Sequence, residues 1–282
     1  RGRRVLRGGP RRAWVAPSTT GAERLVREVS RLAKRLPCPA RVEPVSPVEI
    51  LLVVVAVVVG AMVQASAGIG ITLVAAPVLL AVDPAFVPLP LILGGTVVGV
   101  RNLVMEFPGF DARRWRRCLL GAPVGLLLGE AALANLSERG LTLAVGLLVV
   151  VSVVAVASGW HPPRRSWTSV LTGVLVALTH RVAALPGPPY AILHHDDPPE
   201  VLRPNISSLI LVLSGTIFIR LLVGGEVDAA DMGRSALVMG SALIGLLLAP
   251  PVRRYVDTNW FRPAVLCVCG LGGLATTIGV IL

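Results

Sequence analysis

The sequence predicts an all-α integral membrane protein, a two-repeat polytopic helical bundle of about 8–10 membrane segments with broken or re-entrant helices. Three observations predict this class. Of the 282 residues, 54% are hydrophobic, only 15% are charged, and the mean hydropathy is +0.75. Soluble domains carry about 25% charged residues. The apolar residues also form long runs without β-barrel alternation, and short charged segments separate these runs.

Residues 1–44 form a tail whose composition differs from the rest of the chain. The tail contains 12 Lys and Arg against 3 Asp and Glu, whereas 45–282 contains 15 against 13. We expect the tail to be mostly disordered, with a capping box at Thr20 and Glu23 that starts a basic amphipathic helix suited to anionic lipid. The alternative is a tail without function. No basic face of a folded domain is predicted, so nucleic acid is not an expected partner.

The body of the chain, 45–282, is expected to be one membrane domain. A straight crossing of the bilayer needs about 20 residues. The runs 69–82 and 186–195 are therefore too short to cross alone. The predicted runs are 46–64, 69–82, 86–105, 118–135, 140–158, 168–184, 186–195, 205–223, 233–250 and 263–282.

The charges between the runs predict the orientation of the chain. Arginines at 113–117, 164–165 and 253–262 mark cytoplasmic loops, and the acidic segment 224–233 is interpreted as external. An odd number of crossings must join the second basic loop to the acidic segment. Since 205–223 supplies one crossing, 168–195 is expected to return to its own side as a re-entrant or broken hairpin.

The first half of the body shows a similar pattern, in which a long run, a break at 66–70 and a short run follow one another. We therefore predict two repeats, 46–158 and 168–282. If each repeat has one hairpin and three crossings, the two are inverted relative to each other, which is a common plan among transporters.

The two breaks are similar in composition. Each has small residues, a proline, a short apolar stretch and an Asp-Pro pair, at Asp83-Pro84 and Asp197-Pro198. Glycine permits non-helical backbone, and proline removes an N–H donor. A membrane tolerates broken helices where they line a cavity, and a helix N-terminus there attracts anions. We predict a substrate site built from both breaks; the alternative is that these residues serve packing alone.

The predicted substrate-binding residues lie in or beside the breaks. Arg181 could pair with an oxyanion through two hydrogen bonds, and the adjacent His180 could titrate near neutral pH for proton coupling. The alternative places both in the headgroup region, and helix–helix hydrogen bonding is the alternative for the uncharged polar residues. The predicted residues are Gln64, Ser66, Gly68, Gly70, Thr72, Arg181, Gly187, Pro188 and Asn205.

No catalytic residue, cofactor or metal site is predicted. The sequence has no GxxxxGK[ST] phosphate loop, no HExxH and no GxSxG motif. The four cysteines lack the spacing of a metal site. The segment 194–197, His-His-Asp-Asp, is interpreted as a solvated loop. These features predict that the protein is not an enzyme.

Over about 48–282, the chain resembles the sulfite exporter TauE/SafE family of duplicated integral-membrane permeases. The resemblance implies transport of a small anion, often a sulfur oxyanion or organosulfonate, without nucleotide hydrolysis. The chain departs from the family where members usually show GxGGPP, because 184–189 reads ALPGPP. The features that carry the resemblance are the glycine-rich first break, Pro77, Asp83-Pro84, Pro88, the GPP at 187–189 and the RPAVL at 262–266.

These observations predict a multi-pass permease in a bacterial plasma membrane. Its expected partners are the lipid bilayer and the small-anion substrate, and self-association into a homo-oligomer is left open. The alternatives from other classes are an anion channel and a membrane subunit that does not transport.

Overall fold

The computed structural model describes residues 46–158 except 69, residue 163, residues 165–194 and 197–256, and six residues between 270 and 278. The predicted amphipathic helix of the tail lies outside the described residues, as does most of the last apolar run. All regular structure in the described part is helical. The α-helices are α1 (Pro47–Ala67), α2 (Ile71–Val82), α3 (Leu89–Met105), α4 (Ala112–Asn135), α5 (Glu138–Ala157), α6 (Ser166–Ala183), α7 (Gly187–Leu193), α8 (Pro199–Val223) and α9 (Ala229–Val256).

Six helical segments in the described residues are long and apolar enough to cross a membrane, with mean hydropathies between 1.5 and 2.7. They comprise α1, α4, α5, α8, α9 and α3 with the short 3-10 helix Pro84–Phe86 that precedes it. In contrast, α2 has 12 residues and α7 has 7, too few for a straight crossing. The predicted class, a polytopic helical membrane protein with broken helices, is confirmed.

The helices begin at local capping signals, because the first turn of a helix leaves backbone N–H groups without partners. At the start of α1, Ser46 and Glu49 form a reciprocal capping box. The side chain of Asp111 accepts hydrogen bonds from the N–H groups of Arg113 and Arg114 at the start of α4. Local residue choice therefore explains these boundaries.

Glycines on α4 allow it to pack closely along α6. A Cβ atom added at Gly121 would lie 2.1 Å from the carbonyl oxygen of Val170, and one at Gly129 would lie 2.7 Å from Cβ of Arg181. Close backbone approach at small residues is a common way to pack helices in lipid. Because residue numbers increase in the same direction along both helices from one contact to the next, α4 and α6 run parallel.

The chain reverses direction at the first break. A Cβ atom added at Gly60 would lie 2.8 Å from the carbonyl oxygen of Ile71, and one at Gly70 would lie 2.6 Å from Val63 Cγ1. The start of α2 therefore packs against the last turns of α1. These contacts make α1 and α2 a helical hairpin whose tip is the break.

The hairpin predicted within 168–195 is also present. Its first helix, α6, starts beside the beginning of α4 and extends to Gly129 of that helix. After the second break, Asp197 forms an ion pair with Arg114 in the first turn of α4, with 2.6 Å between Oδ2 and the guanidinium nitrogen. The chain has thus returned to the end of the bundle from which α6 started.

Packing between the halves follows an exchanged pattern. The first helix of each half packs against the fourth helix of the other, so that α1 contacts α9 and α6 contacts α4. The third helices, α3 and α8, pack against each other. The division into the repeats 46–158 and 168–282 stays a prediction, as does their inverted relation. The apolar core has one cluster around α1, α2, α3 and α9 and a smaller one among α4, α6, α7 and α8.

Candidate functional site

A narrow cavity lies between the two breaks and is lined by both. Its volume is about 10 Å³, which is room for about one water molecule. Six of the nine predicted substrate-binding residues line it: Gln64, Gly68, Gly70, Thr72, Gly187 and Pro188. The other lining residues are Leu73, Leu185, Pro186 and Ile210.

Two glycines form the first break because its backbone adopts conformations that side chains disfavour. Gly68 has a φ of +83° and ends α1, and Gly70 has a φ of +151° and precedes α2. The Gln64 side chain accepts a hydrogen bond from the N–H of Ile71 at 3.2 Å. A residue of α1 therefore caps α2 across the break, which satisfies one of the donors that the interruption leaves.

The second break has a different construction. Ala184, which is not a glycine, adopts a left-handed conformation with a φ of +55°. The N–H of Leu185 donates to the carbonyl of Thr179 at 3.2 Å, and the Thr179 hydroxyl donates to the carbonyl of Leu185 at 2.7 Å. Pro188 then sits in the first turn of α7, where its missing N–H costs nothing. Backbone and hydroxyl contacts hold this break without a glycine at its bend.

A hydrogen bond joins the two breaks directly. The hydroxyl of Thr72, in the first turn of α2, donates to the carbonyl oxygen of Ala184. Thr72 is 3% exposed and also lines the cavity. The breaks are distant in sequence but form one structural unit.

The cavity offers neutral hydrogen-bond donors. Its lining residues include no charged side chain. The N–H groups of Thr72 and Leu73 lie in the first turn of α2, where the helix supplies no acceptor and the helix dipole is positive. The first turn of α7 contributes less, because Pro188 and Pro189 have no N–H. An anion would thus meet its donors mainly at the first break.

Arg181 does not line the cavity. Its Nε and NH2 atoms donate to both carboxylate oxygens of Glu130, at 2.7 and 3.0 Å. The Arg181 side chain is 6% exposed and lies across Gly129. Glu130 also contacts Arg220, with 3.5 Å between the charged atoms. The structure thus directs Arg181 to α4, and its predicted role as charge partner of an anion stays a prediction.

Three further predicted residues are buried close to the breaks without lining the cavity. His180 has its Nε2 atom 2.9 Å from the Ser214 hydroxyl of α8, and its proton-coupling role stays a prediction. Ser66 is 1% exposed. Asn205 accepts a hydrogen bond from the N–H of Asp111 at 2.9 Å and donates to the carbonyl of Gly109 at 3.0 Å. Asn205 therefore ties α8 to the connection between α3 and α4.

An ion pair beside the first break was missing from the residues predicted from sequence. Arg203 NH1 donates to Glu106 Oε1, and the two side chains are 12% and 13% exposed. A Cβ atom added at Gly68 would lie 2.9 Å from Arg203 Cγ. In the sequence, an arginine near the start of a helix looks like an ordinary interfacial charge, so Arg203 was not predicted. The signals in this part of the sequence were the neighbouring Asp197-Pro198 pair and Asn205.

The order of hairpins and long helices, with a cavity between paired breaks, is typical of a permease. The family model of the sulfite exporter TauE/SafE matches residues 52–276, most of the chain. The chain belongs to the TauE/SafE family. No curated protein and no solved structure matches it. As a member of this family, the protein is a multi-pass membrane protein of a transporter family of the sulfite or anion type.

Proposed function

We propose that this TauE/SafE protein is a secondary transporter that moves a small anion, a sulfur oxyanion or an organosulfonate, across a bacterial plasma membrane. The observation that carries the proposal is the cavity between the two breaks. It brings Gln64 and Thr72 from one half of the chain together with Gly187 and Pro188 from the other. Paired breaks that meet in one site are the arrangement that alternating-access transporters use.

The chemistry of the cavity favours an anion that neutral donors can hold. Amide and hydroxyl donors at a helix start stabilise a negative charge without a salt bridge. A cavity whose lining residues include no cation also releases its anion more readily, because no lining residue is left as an unpaired buried charge on departure. Such reversible binding is what transport requires.

The small volume of the cavity supports a mechanism with a conformational change. At about 10 Å³ the cavity holds about one water molecule, which is less than a sulfur oxyanion needs. The anion can therefore enter only when the hairpins separate. We propose that the hairpins rock against the remaining helices and open the cavity to each side in turn.

A second function is favoured by one observation. The first turn of α7 carries two prolines and therefore has fewer N–H donors than the corresponding turn of α2. If both hairpins must bind the anion, the second half lacks part of its site, and the protein is a membrane subunit that does not transport. An anion channel is the remaining alternative, and it would show flux that does not saturate.

Binding is the first experiment. Melting temperatures of the detergent-solubilised protein are measured with sulfite, thiosulfate, sulfoacetate and chloride. A ligand that binds only the folded state stabilises it by about 2.7 kcal/mol at a hundred times its Kd. We expect one sulfur anion to raise the melting temperature and chloride to leave it unchanged.

Gly70→Leu is the matched test of the site. Its side chain would meet Val63 and the backbone of Gln64 at a φ that only glycine tolerates well. We expect it to abolish both the ligand-induced shift and saturable flux into proteoliposomes. The control is Gly240→Leu, an exposed position of α9 with no neighbouring atom within 4 Å. Equal flux in the two variants would contradict the site, and no response to any anion in the wild type would contradict the function.

A further inference from the structure

Arg203 lies against Gly68, one of the residues that line the cavity. It lies in the second turn of α8, where its Cγ would be 2.9 Å from a Cβ atom at Gly68. Gly68 lines the cavity. The stem of Arg203 therefore packs against a residue that lines the cavity, although Arg203 itself is not a lining residue, and its guanidinium continues to Glu106 at the end of α3.

The guanidinium of Arg203 retains donor capacity that its carboxylate partner does not use. Its Nε atom is buried and has no hydrogen-bond partner among the described residues. Arg181 differs, since both its Nε and its NH2 bond to Glu130. An unpartnered donor on a buried cation is unfavourable. Of the two arginines, Arg203 is therefore the one that can donate a further hydrogen bond.

We propose that Arg203 binds the transported anion at the Gly68 edge of the cavity and that Glu106 is its partner when no anion is present. This inference rests on the proposed function, because it concerns the same anion. The planar guanidinium can donate two parallel hydrogen bonds to neighbouring oxygens, so it favours an oxyanion over a spherical halide. Arg203 thereby determines specificity, while the neutral donors of the cavity hold the anion during passage.

Because Glu106 and the anion compete for Arg203, substitutions of Glu106 and of Arg203 should have opposite effects on anion binding. Removing the charge of Glu106 removes the competitor, so Glu106→Gln should bind the oxyanion more tightly than the wild type. Removing the guanidinium in Arg203→Gln should weaken binding. A merely structural ion pair would behave differently, because losing either partner would lower stability and neither change would strengthen binding.

The experiment measures the Kd of sulfite and of chloride for purified variants by calorimetric titration. We expect Glu106→Gln to lower the sulfite Kd about fivefold and Arg203→Gln to raise it about tenfold or more. Arg203→Lys keeps the positive charge but not the planar pair of N–H donors, so it should lose most of the preference for sulfite over chloride. The matched control is Arg220→Gln, an arginine of the same helix whose carboxylate partners are Glu226 and Glu130, and its sulfite Kd should equal that of the wild type.

The outcomes separate this inference from the proposed function. If the wild type binds none of the sulfur anions, the proposed function fails. If the wild type binds sulfite and Arg203→Gln binds it as well as Arg220→Gln does, the role of Arg203 is overturned and the function stands. Should Arg203→Gln fail to fold, Glu106→Gln decides instead, and a sulfite Kd no lower than that of the wild type would contradict the competition.

Discussion

The two breaks differ in what they offer to an anion, although both lie at the tip of a helical hairpin. The first break has glycines at its bends and continues into a helix of 12 residues with N–H donors in its first turn. The second bends at Ala184 and continues into a helix of 7 residues whose second and third residues are prolines. An anion would therefore meet more backbone N–H donors at the first break than at the second.

The two arginines beside the breaks show a similar difference. Arg181 makes two hydrogen bonds to Glu130 next to the second break, while Arg203, next to the first break, makes one to Glu106 and retains an unpartnered Nε. An arginine held by two hydrogen bonds to one carboxylate stabilises the packing of its helix, whereas one held by a single hydrogen bond can exchange its partner. If the two halves are repeats, as predicted, their arginines have come to differ in how fully they are paired.

The largest expected effect on stability tests the structural role of the ion pair between Arg181 and Glu130. Glu130→Gln leaves the buried Arg181 without a counter-charge, and we expect the free energy of unfolding to fall by about 2 kcal/mol, less than for a fully buried pair because Glu130 is 29% exposed. Denaturation of the purified protein measures this loss. The sulfite preference over chloride should stay unchanged, and a changed preference would assign Arg181 to the binding site.

A smaller effect tests the link between the breaks. Thr72→Val removes the hydroxyl that donates to the Ala184 carbonyl and leaves that buried carbonyl with one acceptor position unused. We expect a loss of about 1 kcal/mol in the free energy of unfolding, together with slower flux into proteoliposomes. Thr72→Ser retains the donor and serves as control. Equal stability of the two variants would show that the link contributes nothing.

The smallest effect concerns the bend of the second break. Ala184 adopts a φ of +55°, where a side chain costs about 1 kcal/mol relative to glycine. Ala184→Gly relieves the disfavoured conformation in the folded state, but it also adds conformational entropy to the unfolded chain. We therefore expect the melting temperature to rise slightly or to stay level. Ala184→Val should lower the melting temperature, because a branched side chain is more strongly disfavoured there. A stabilised valine variant would contradict the left-handed bend.

Residues that interrupt helices were predictable from sequence, because their effect is local. Glycine and proline disturb the helical backbone wherever they occur, so Gly68, Gly70, Gly187 and Pro188 could be assigned to one site before the fold was known. All four line the cavity. The short helices of the hairpins followed from run length, since a run shorter than about 20 residues does not cross the bilayer straight.

Partners of the charged and polar side chains were not predictable in this way. Arg181 finds Glu130 across 51 positions, Asn205 finds Gly109 across 96, and Arg203 finds Glu106 across 97. Such pairs depend on which helices become neighbours. Three of the predicted residues, Ser66, Arg181 and Asn205, do not line the cavity.

The sequence by itself determined the membrane class, the two hairpins and the family, because hydropathy, run length and backbone-breaking residues act within a few turns of the chain. The tertiary structure decided which arginine forms two hydrogen bonds with its carboxylate partner and which retains an unpartnered Nε. That outcome depends on the close parallel packing of α4 on α6, which brings Arg181 to Glu130, and on the contact of α3 with α8, which brings Arg203 to Glu106. Charge pairing across helices is set by packing geometry, and packing geometry exists only in the folded chain.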